Sequence, residues 1–348
     1  MTGTTPFRLI RESIPSSTTD KRLQKLVGDW NEAEINRTSL DRWIQRIPEH
    51  EHSIAVRLLE CIQVHGWSRL LRECRLLHQR VCEDLREDGY DTETYSDIDF
   101  TRAFTCKSGD IISYAYRKAN RIPLTRFHNV EALYCATATE RRTKALVVLD
   151  DYIGTASQFL FTFIARNAAN RALIGEYGRT RLAAIVVHDN ARQKWRLLQK
   201  QQLRQVMAIE EQQLTCVDFA PEREDLIHAL SQINWRQTGL IGADRDFPVT
   251  ACNELSEDER RSLRQFLSNH AEADGAGTTE FLLGHHTFFY GAPNAMARIL
   301  LPLFKRLEDF TTYPLESQRG LPSDLIDYNI DNHNPATEIH PRSTSKQS

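Results

Sequence analysis

Apolar residues recur at spacings of three and four through the first quarter of the chain and gather into short unbroken runs through its middle. The first pattern is that of amphipathic helices, the second that of strands covered on both faces. Residues 1–18, with Thr, Ser and Pro, carry neither pattern and read as loose. Over 19–88, Ile54, Leu58, Cys61, Ile62 and His65 share one helical face, and Leu70, Cys74, Leu77, Val81 and Leu85 share another. Trp43, Ile47 and the break at Pro48 mark a shorter helix before them. This N-terminal part reads as all-helical. Its stripes are core contacts more often than partner sites.

Residues 89–106 form a polar connector. The run KSGDIISYAYRKANRIP then reads as a Ser-Gly turn and a helix from about Asp110 to Asn120, with Pro123 as a stop signal. A β segment and a loop around 128–143 lead to an apolar strand, Ala145–Leu149, that must end at Asp150 and Asp151. There follow a helix (157–177), a strand (Leu182 to Val187), a charged helix (190–212), a strand (Leu214 to Phe219) and a helix (Glu222 to Ile233). Strands alternating with helices imply a parallel sheet with right-handed crossovers. After Trp235 the order loosens. Ser256 and Glu259 form a capping box, Thr278 to Phe289 reads as a strand, and GAPNAMARILLPLFKR reads as a turn into a helix. The last 20 or so residues carry no structural pattern.

Composition narrows the class. The chain has 348 residues, 41% of them hydrophobic, enough for a sizeable core in one domain or two. A formal net charge of −3 gives no electrostatic argument for nucleic acid across the whole surface. One local patch, Arg192, Lys194, Arg196, Lys200 and Arg204 in one predicted helix, keeps nucleic-acid contact open, although a solvated helix face is the plainer reading. The 7 cysteines are scattered without CxxC spacing, which points to a reducing compartment with packed thiols. No Cys/His ligand set, signal peptide or membrane-spanning run is recognisable, and a cytoplasmic location is expected.

The chemistry concentrates in ALVVLDDYIGTASQ, residues 145–158. Open α/β sheets bind ligands at the carboxyl ends of their strands. Two adjacent carboxylates there can accept hydrogen bonds from a vicinal diol such as the ribose 2′- and 3′-hydroxyls. The small residues Gly154, Thr155, Ala156 and Ser157, followed by a helix start near Gln158, offer backbone N–H groups and hydroxyls to a phosphate. Acids for the diol and amides for the phosphate match a ribose 5-phosphate in size. A solvated Asp-Asp loop is the bland alternative. No GxGxxG and no GxxxxGK[ST] occurs.

These residues resemble the phosphoribosyltransferase pattern of an apolar strand, two acids, two further residues and a small-Thr-Gly-small-Thr loop. Asp150, Asp151, Ile153 and Thr155 fit it, while Ala156 and Ser157 stand where glycines are common and Gln158 where Thr is common. An alanine at a position wanting positive φ would be strained. Three further segments, LDRWIQRIPEHEHSIAVRLLECIQ, SGDIISYAYRKAN and FFYGAPNAMARILLPLF, resemble in the same order the phosphoribosyltransferase-like family of bacterial conflict systems (PRTase-CE type). Together they cover roughly residues 40–305.

The resemblance implies an α/β fold with a phosphoribosyltransferase-like parallel sheet, flanking helices, an all-helical N-terminal extension and a C-terminal hood. The corresponding regions are 1–95 (extension), 96–235 (α/β core), 236–330 (hood) and 331–348 (unstructured tail). Its ligand would be phosphoribosyl pyrophosphate or a related nucleotide, with Mg2+ carried by the ligand's own oxygens. Asp150 and Asp151 would hold the ribose, Gly154 to Gln158 the 5-phosphate, and Ser108-Gly109 the pyrophosphate. Tyr114 and Arg117, three apart on a helix, would face the site, and Asn294 in the hood would read a base edge. Surface-pair and turn roles are the alternatives for Arg117 and Asn294. The implied activity is displacement at ribose C1 by an effector of an antiphage or conflict system, with protein partners in its operon. A catalytically inactive nucleotide-binding module is the other class.

Overall fold

Ala145–Leu149 are wholly removed from water, as five consecutive apolar residues require of a strand covered on both faces. The structure, a computed structural model, describes residues 16–30, 32, 35–103, 108–213, 223–243, 255–270, 286–288, 300 and 303. The first elements are helices α1 (Ser16–Asp29), α2 (Arg37–Ile44) and α3 (His52–Glu60), strand β1 (Gln63–His65) and helix α4 (Trp67–Glu87). Then come β2 (Ile98–Arg102), α5 (Ser108–Asn120), α6 (Val130–Leu133), α7 (Ala138–Arg142) and β3 (Ala145–Ile153). A π-helix (Gln158–Ala165), α8 (Ala168–Glu176), β4 (Arg179–Val187), α9 (Asp189–Gln199), α10 (Leu203–Gln213) and α11 (Arg223–Ser231) follow. The last are β5 (Thr238–Gly242), α12 (Glu257–Asn269) and β6 (His286–Phe288).

The α/β class expected from the sequence is present. Strands β2, β3, β4 and β5 form one sheet in that order, every neighbouring pair parallel. Parallel neighbours need long crossovers, and here helices supply them. Leu146, Val148, Leu182 and Ala184 pack with α6, α8, α9, α11 and the π-helix. Ala145, Val147, Leu149, Ala183 and Ile185 pack on the other side with α4 and α5. Each fully buried Val or Leu contributes on the order of 2 kcal/mol, so both faces of the sheet are firmly held.

A second cluster joins both ends of the described chain. Leu23, Leu40, Val56, Leu59 and Val64 share it with Leu263, Phe266 and Leu300. Arg57 pairs with Glu259 at 3.1 Å, and His270 with Glu51 at 2.7 Å. The N-terminal part is therefore not all-helical. The helix bearing Ile54 and Leu58 ends at Glu60, and Gln63, Val64 and His65 extend to pair in parallel with His286, Thr287 and Phe288. His65 is a strand residue and not part of the helical face: it stacks on Phe288 at 4.7 Å and bonds Glu73 at 2.6 Å.

Other differences have local causes. The polar connector contains edge strand β2, whose residues Ile98–Arg102 pair with Ala145–Leu149. Residues 128–143 hold α6 and α7 rather than a β segment, each opened by a side-chain cap from Asn129 or Thr137. The 157–177 helix breaks at Asn167, which caps α8. The 190–212 helix breaks at Gln201, which has a positive φ of 59°. The Ser256–Glu259 capping box is present. Of the Thr278–Phe289 strand, His286–Phe288 is described and extended. Leu214–Phe219, the late turn and helix apart from Leu300 and Leu303, Asn294 and the tail lie outside the described residues. Cys61, Cys74 and Cys82 are buried, and no helix among the described residues is long and apolar enough to cross a membrane.

Candidate functional site at the end of strand β3

Strand β3 does not stop at its acids. Its ladder with β4 continues through Asp150↔Ala184 to Tyr152↔Val186 and Ile153↔Val187, because β4 is itself nine residues long and apolar throughout that stretch. Asp150 and Asp151 are therefore strand residues. Neighbours in a strand project to opposite sides, so the two carboxylates are not a side-by-side pair. Each is pinned by the amide that follows it: Asp151 N–H donates to Asp150 Oδ1 at 3.0 Å, and Tyr152 N–H to Asp151 Oδ1 at 2.8 Å. Asp151 is buried and Asp150 half-buried.

The loop after Ile153 is compact. At Gly154 a Cβ would stand 2.9 Å from the Tyr152 ring, so glycine permits that approach. Ala156 has a φ of +62° and is buried. The left-handed conformation expected from the loop pattern is thus adopted by a residue with a side chain, at a cost on the order of 1–2 kcal/mol. The Thr155 and Ser157 hydroxyls lie 2.6 Å apart, and the Ser157 N–H reaches Thr155 Oγ1 at 3.4 Å. Gln158 opens the π-helix, a form frequently found at functional sites. Leu160 N–H already donates to Ala156 O at 2.9 Å, and the amides before it stand at a helix start, where anions are favoured.

Two residues here were missed by sequence reasoning. Lys194 was assigned to a charged helix face, yet it is 0% exposed and its ammonium donates to Ser157 Oγ at 3.5 Å. The signal was its position: Lys194 lies three residues after Ala191 and four before Leu198, both fully buried, so it occupies the core stripe of α9. His188 caps α9, its Nδ1 accepting from Asn190 N–H at 3.1 Å, and its own N–H donates to Ile153 O at 2.9 Å. Burial holds His188 below the ordinary imidazole range, with the Lys194 charge acting the same way and Asp189 opposing. The five cations proposed as one patch do not share a helix face, since α9 and α10 separate at 200–202.

The remaining predicted residues divide. Ser108 and Gly109 form the first turn of α5 rather than a turn before it. They stand near the end of β2, where Arg102 lies 2.8 Å from Asp110. Tyr114 stacks against Trp67, ring centroids 6.2 Å apart, and Arg117 lies over Tyr114 at 5.9 Å. No group of three or more His, Cys, Asp or Glu that could hold a metal gathers among the described residues. The chain matches no protein-family model, no curated protein and no solved structure.

Proposed function

We propose that this chain binds a ribose 5-phosphate of the phosphoribosyl pyrophosphate type at the end of β3. The observation that carries the reading is Lys194, fully enclosed and bonded to Ser157 behind a loop of small residues. A lysine is rarely buried without an electrostatic purpose. Here its charge backs the hydroxyls of Thr155 and Ser157 and the amides of the π-helix start, a combination that suits a phosphate dianion. Asp150, the more exposed acid, bonds the ribose hydroxyls, and Asp151 fixes the strand end through Tyr152 N–H. The first turn of α5 receives the pyrophosphate. The ligand's own pyrophosphate oxygens and water would hold Mg2+, with no direct protein ligand, while Asp150 stays on the ribose hydroxyls. The ion would neutralise the leaving pyrophosphate. In this reading the protein transfers the phosphoribosyl group to a base or nucleotide. A role as effector of a prokaryotic conflict system rests on the family resemblance.

One observation favours a second reading, a nucleotide-binding module that acts through protein partners. The two acids lie on opposite sides of β3, and one of them is buried, which leaves less carboxylate at the ribose than two paired acids would give.

Isothermal titration with phosphoribosyl pyrophosphate and Mg2+ tests both. Wild type should bind, and Asp150→Ala should weaken binding by about tenfold or more, the worth of charge-assisted hydrogen bonds. Pyrophosphate release with any of a panel of bases supports transfer. Binding without release supports the module. No binding by the folded wild type defeats the ribose-phosphate idea altogether.

A further inference from the structure

Helices α4 and α5 meet along a seam that brings aromatic rings and cations together. Arg75 Nε donates to Ala119 O at 3.4 Å and Asn120 Nδ2 to Cys74 O at 3.2 Å, so the two helices run side by side from Trp67 and Tyr114 onward. The Trp67 and Tyr114 rings stack with an interplanar angle of 20°. The Lys118 ammonium lies 5.9 Å from the Trp67 ring and 5.7 Å from the Tyr114 ring, within cation–π range of both.

The charge along this seam is one-sided. From Trp67 to Gln79 and from Tyr114 to Arg121 the chain carries Arg69, Arg72, Arg75, Arg117, Lys118 and Arg121 against one acid, Glu73, with Glu32 accepting from Ser68 N–H at the start of α4. Glu73 is buried and bonded by His65 and Arg69. Elsewhere Arg22, Arg57, Arg179 and Arg181 sit against carboxylates, whereas Arg80, Arg86, Arg126 and Arg171 bond backbone carbonyls, Thr92 or Gln232. Arg72, Arg75, Arg117 and Arg121 have no carboxylate partner among the described residues. In a chain of net charge −3, this is a local cationic face bordered by stacked aromatic rings.

We propose that the α4–α5 seam binds single-stranded nucleic acid. Unpaired bases offer π-faces to rings such as Trp67 and Tyr114, while the backbone phosphates meet Lys118 and the arginines. Stacking platforms beside cationic tracks are how sequence-tolerant single-strand binding is built. A duplex hides its base faces and would gain only the charge. A protein partner with an acidic surface would use the cations and leave the rings with no particular role. The inference uses no residue of the β3 loop and assigns Tyr114 and Arg117 to the seam, where they lie against Trp67 and each other, rather than to the ribose-phosphate site.

Fluorescence anisotropy with a labelled oligo-dT longer than the usual site of about 4–16 nucleotides tests it. The wild type should bind it more tightly than the corresponding duplex. The log–log salt slope should be near −3, about 0.7 for each of roughly four phosphates. Lys118→Glu with Arg121→Glu, both exposed, should weaken binding at least about tenfold and flatten the slope. Tyr114→Leu should weaken binding by about fivefold or more with the slope unchanged. Thermal unfolding checks that each variant is folded, and the exposed pair keeps the test valid if Tyr114→Leu is not. No binding, duplex or heparin bound as tightly as the single strand, or binding insensitive to Lys118→Glu/Arg121→Glu would overturn the proposal.

Discussion

The two cationic regions use one residue type in opposite ways. At the β3 loop, Lys194 is enclosed and bonded to Ser157, whose hydroxyl lies against that of Thr155. On the α4–α5 seam, Lys118 is exposed and lies over two aromatic rings. A buried charge acts in a low-dielectric setting at short range, so it suits one small anion held in fixed geometry. An exposed charge is screened within about 10 Å, so it contributes only as part of a row. The two regions share a histidine whose proton affinity burial lowers, His188 under the loop and His78 under the seam. They share also a residue with positive φ, Ala156 in the loop and Arg121 after α5.

The largest effect should come from making the same substitution in both places. Lys194→Glu puts a carboxylate where an ammonium is fully enclosed, and should destabilise the fold by about 3–5 kcal/mol, the usual consequence of an uncompensated buried charge. Lys118→Glu changes an exposed side chain and should cost about 1 kcal/mol at most, the lost cation–π contacts included. Urea unfolding of both variants measures the difference. If Lys194→Glu is as stable as Lys118→Glu, Lys194 is not enclosed in solution, and the account of the loop fails with it.

Acid should separate the two histidines. His78 bonds the Tyr116 hydroxyl at 2.8 Å and the Tyr95 hydroxyl at 3.0 Å, and burial pushes it down to about 4. The unfolded chain holds its proton up to about pH 6.5, so between these values it binds more protons than the folded protein. Stability should therefore fall as pH drops from about 6.5 and level off below about 4, by up to about 3 kcal/mol. His188 shifts in the same direction. Urea midpoints at pH 7 and pH 4.5 should differ clearly less for His78→Gln than for wild type. An unchanged difference would place the acid-sensitive group elsewhere, with His188→Gln as the next variant to measure.

What the sequence made legible follows how local each cause is. Ala145–Leu149 and the stripe Leu70, Cys74, Leu77, Val81, Leu85 announce themselves because burial on both faces, or on one helix face, is written in consecutive residues. The pairing of Gln63–His65 with His286–Phe288 joins segments more than 200 residues apart, and three residues are too few to show a period of two. β3 runs past its acids because β4 continues beside it, which no feature of 145–153 encodes. Within the candidate site, the Asp-Asp-small-residue run was visible, and so was the demand for positive φ at Ala156. Lys194 was hidden because residue type suggested solvent while its spacing placed it in the core. Spacing was the better guide.

The smallest predicted effects compare the two left-handed residues. Glycine adopts positive φ without the steric cost that Cβ imposes, on the order of 1 kcal/mol. Arg121 follows helix α5, is exposed, and has a φ of 54°. That is the position after a helix end where glycine is favoured, and no buried packing opposes the change. Arg121→Gly should therefore stabilise the fold by about 0.5–1 kcal/mol. At Ala156, with a φ of 62°, the same relief is available, but its methyl is buried against the core of the sheet. Deleting a buried methyl costs about 0.8 kcal/mol, and the added freedom of the unfolded chain costs several tenths more. Ala156→Gly should therefore change stability little, and to the unfavourable side if at all. Urea midpoints at constant m-value read both. A stabilised Ala156→Gly would mean that the methyl contributes no packing, leaving the conformation of the loop to be set by Thr155, Ser157 and Lys194 alone.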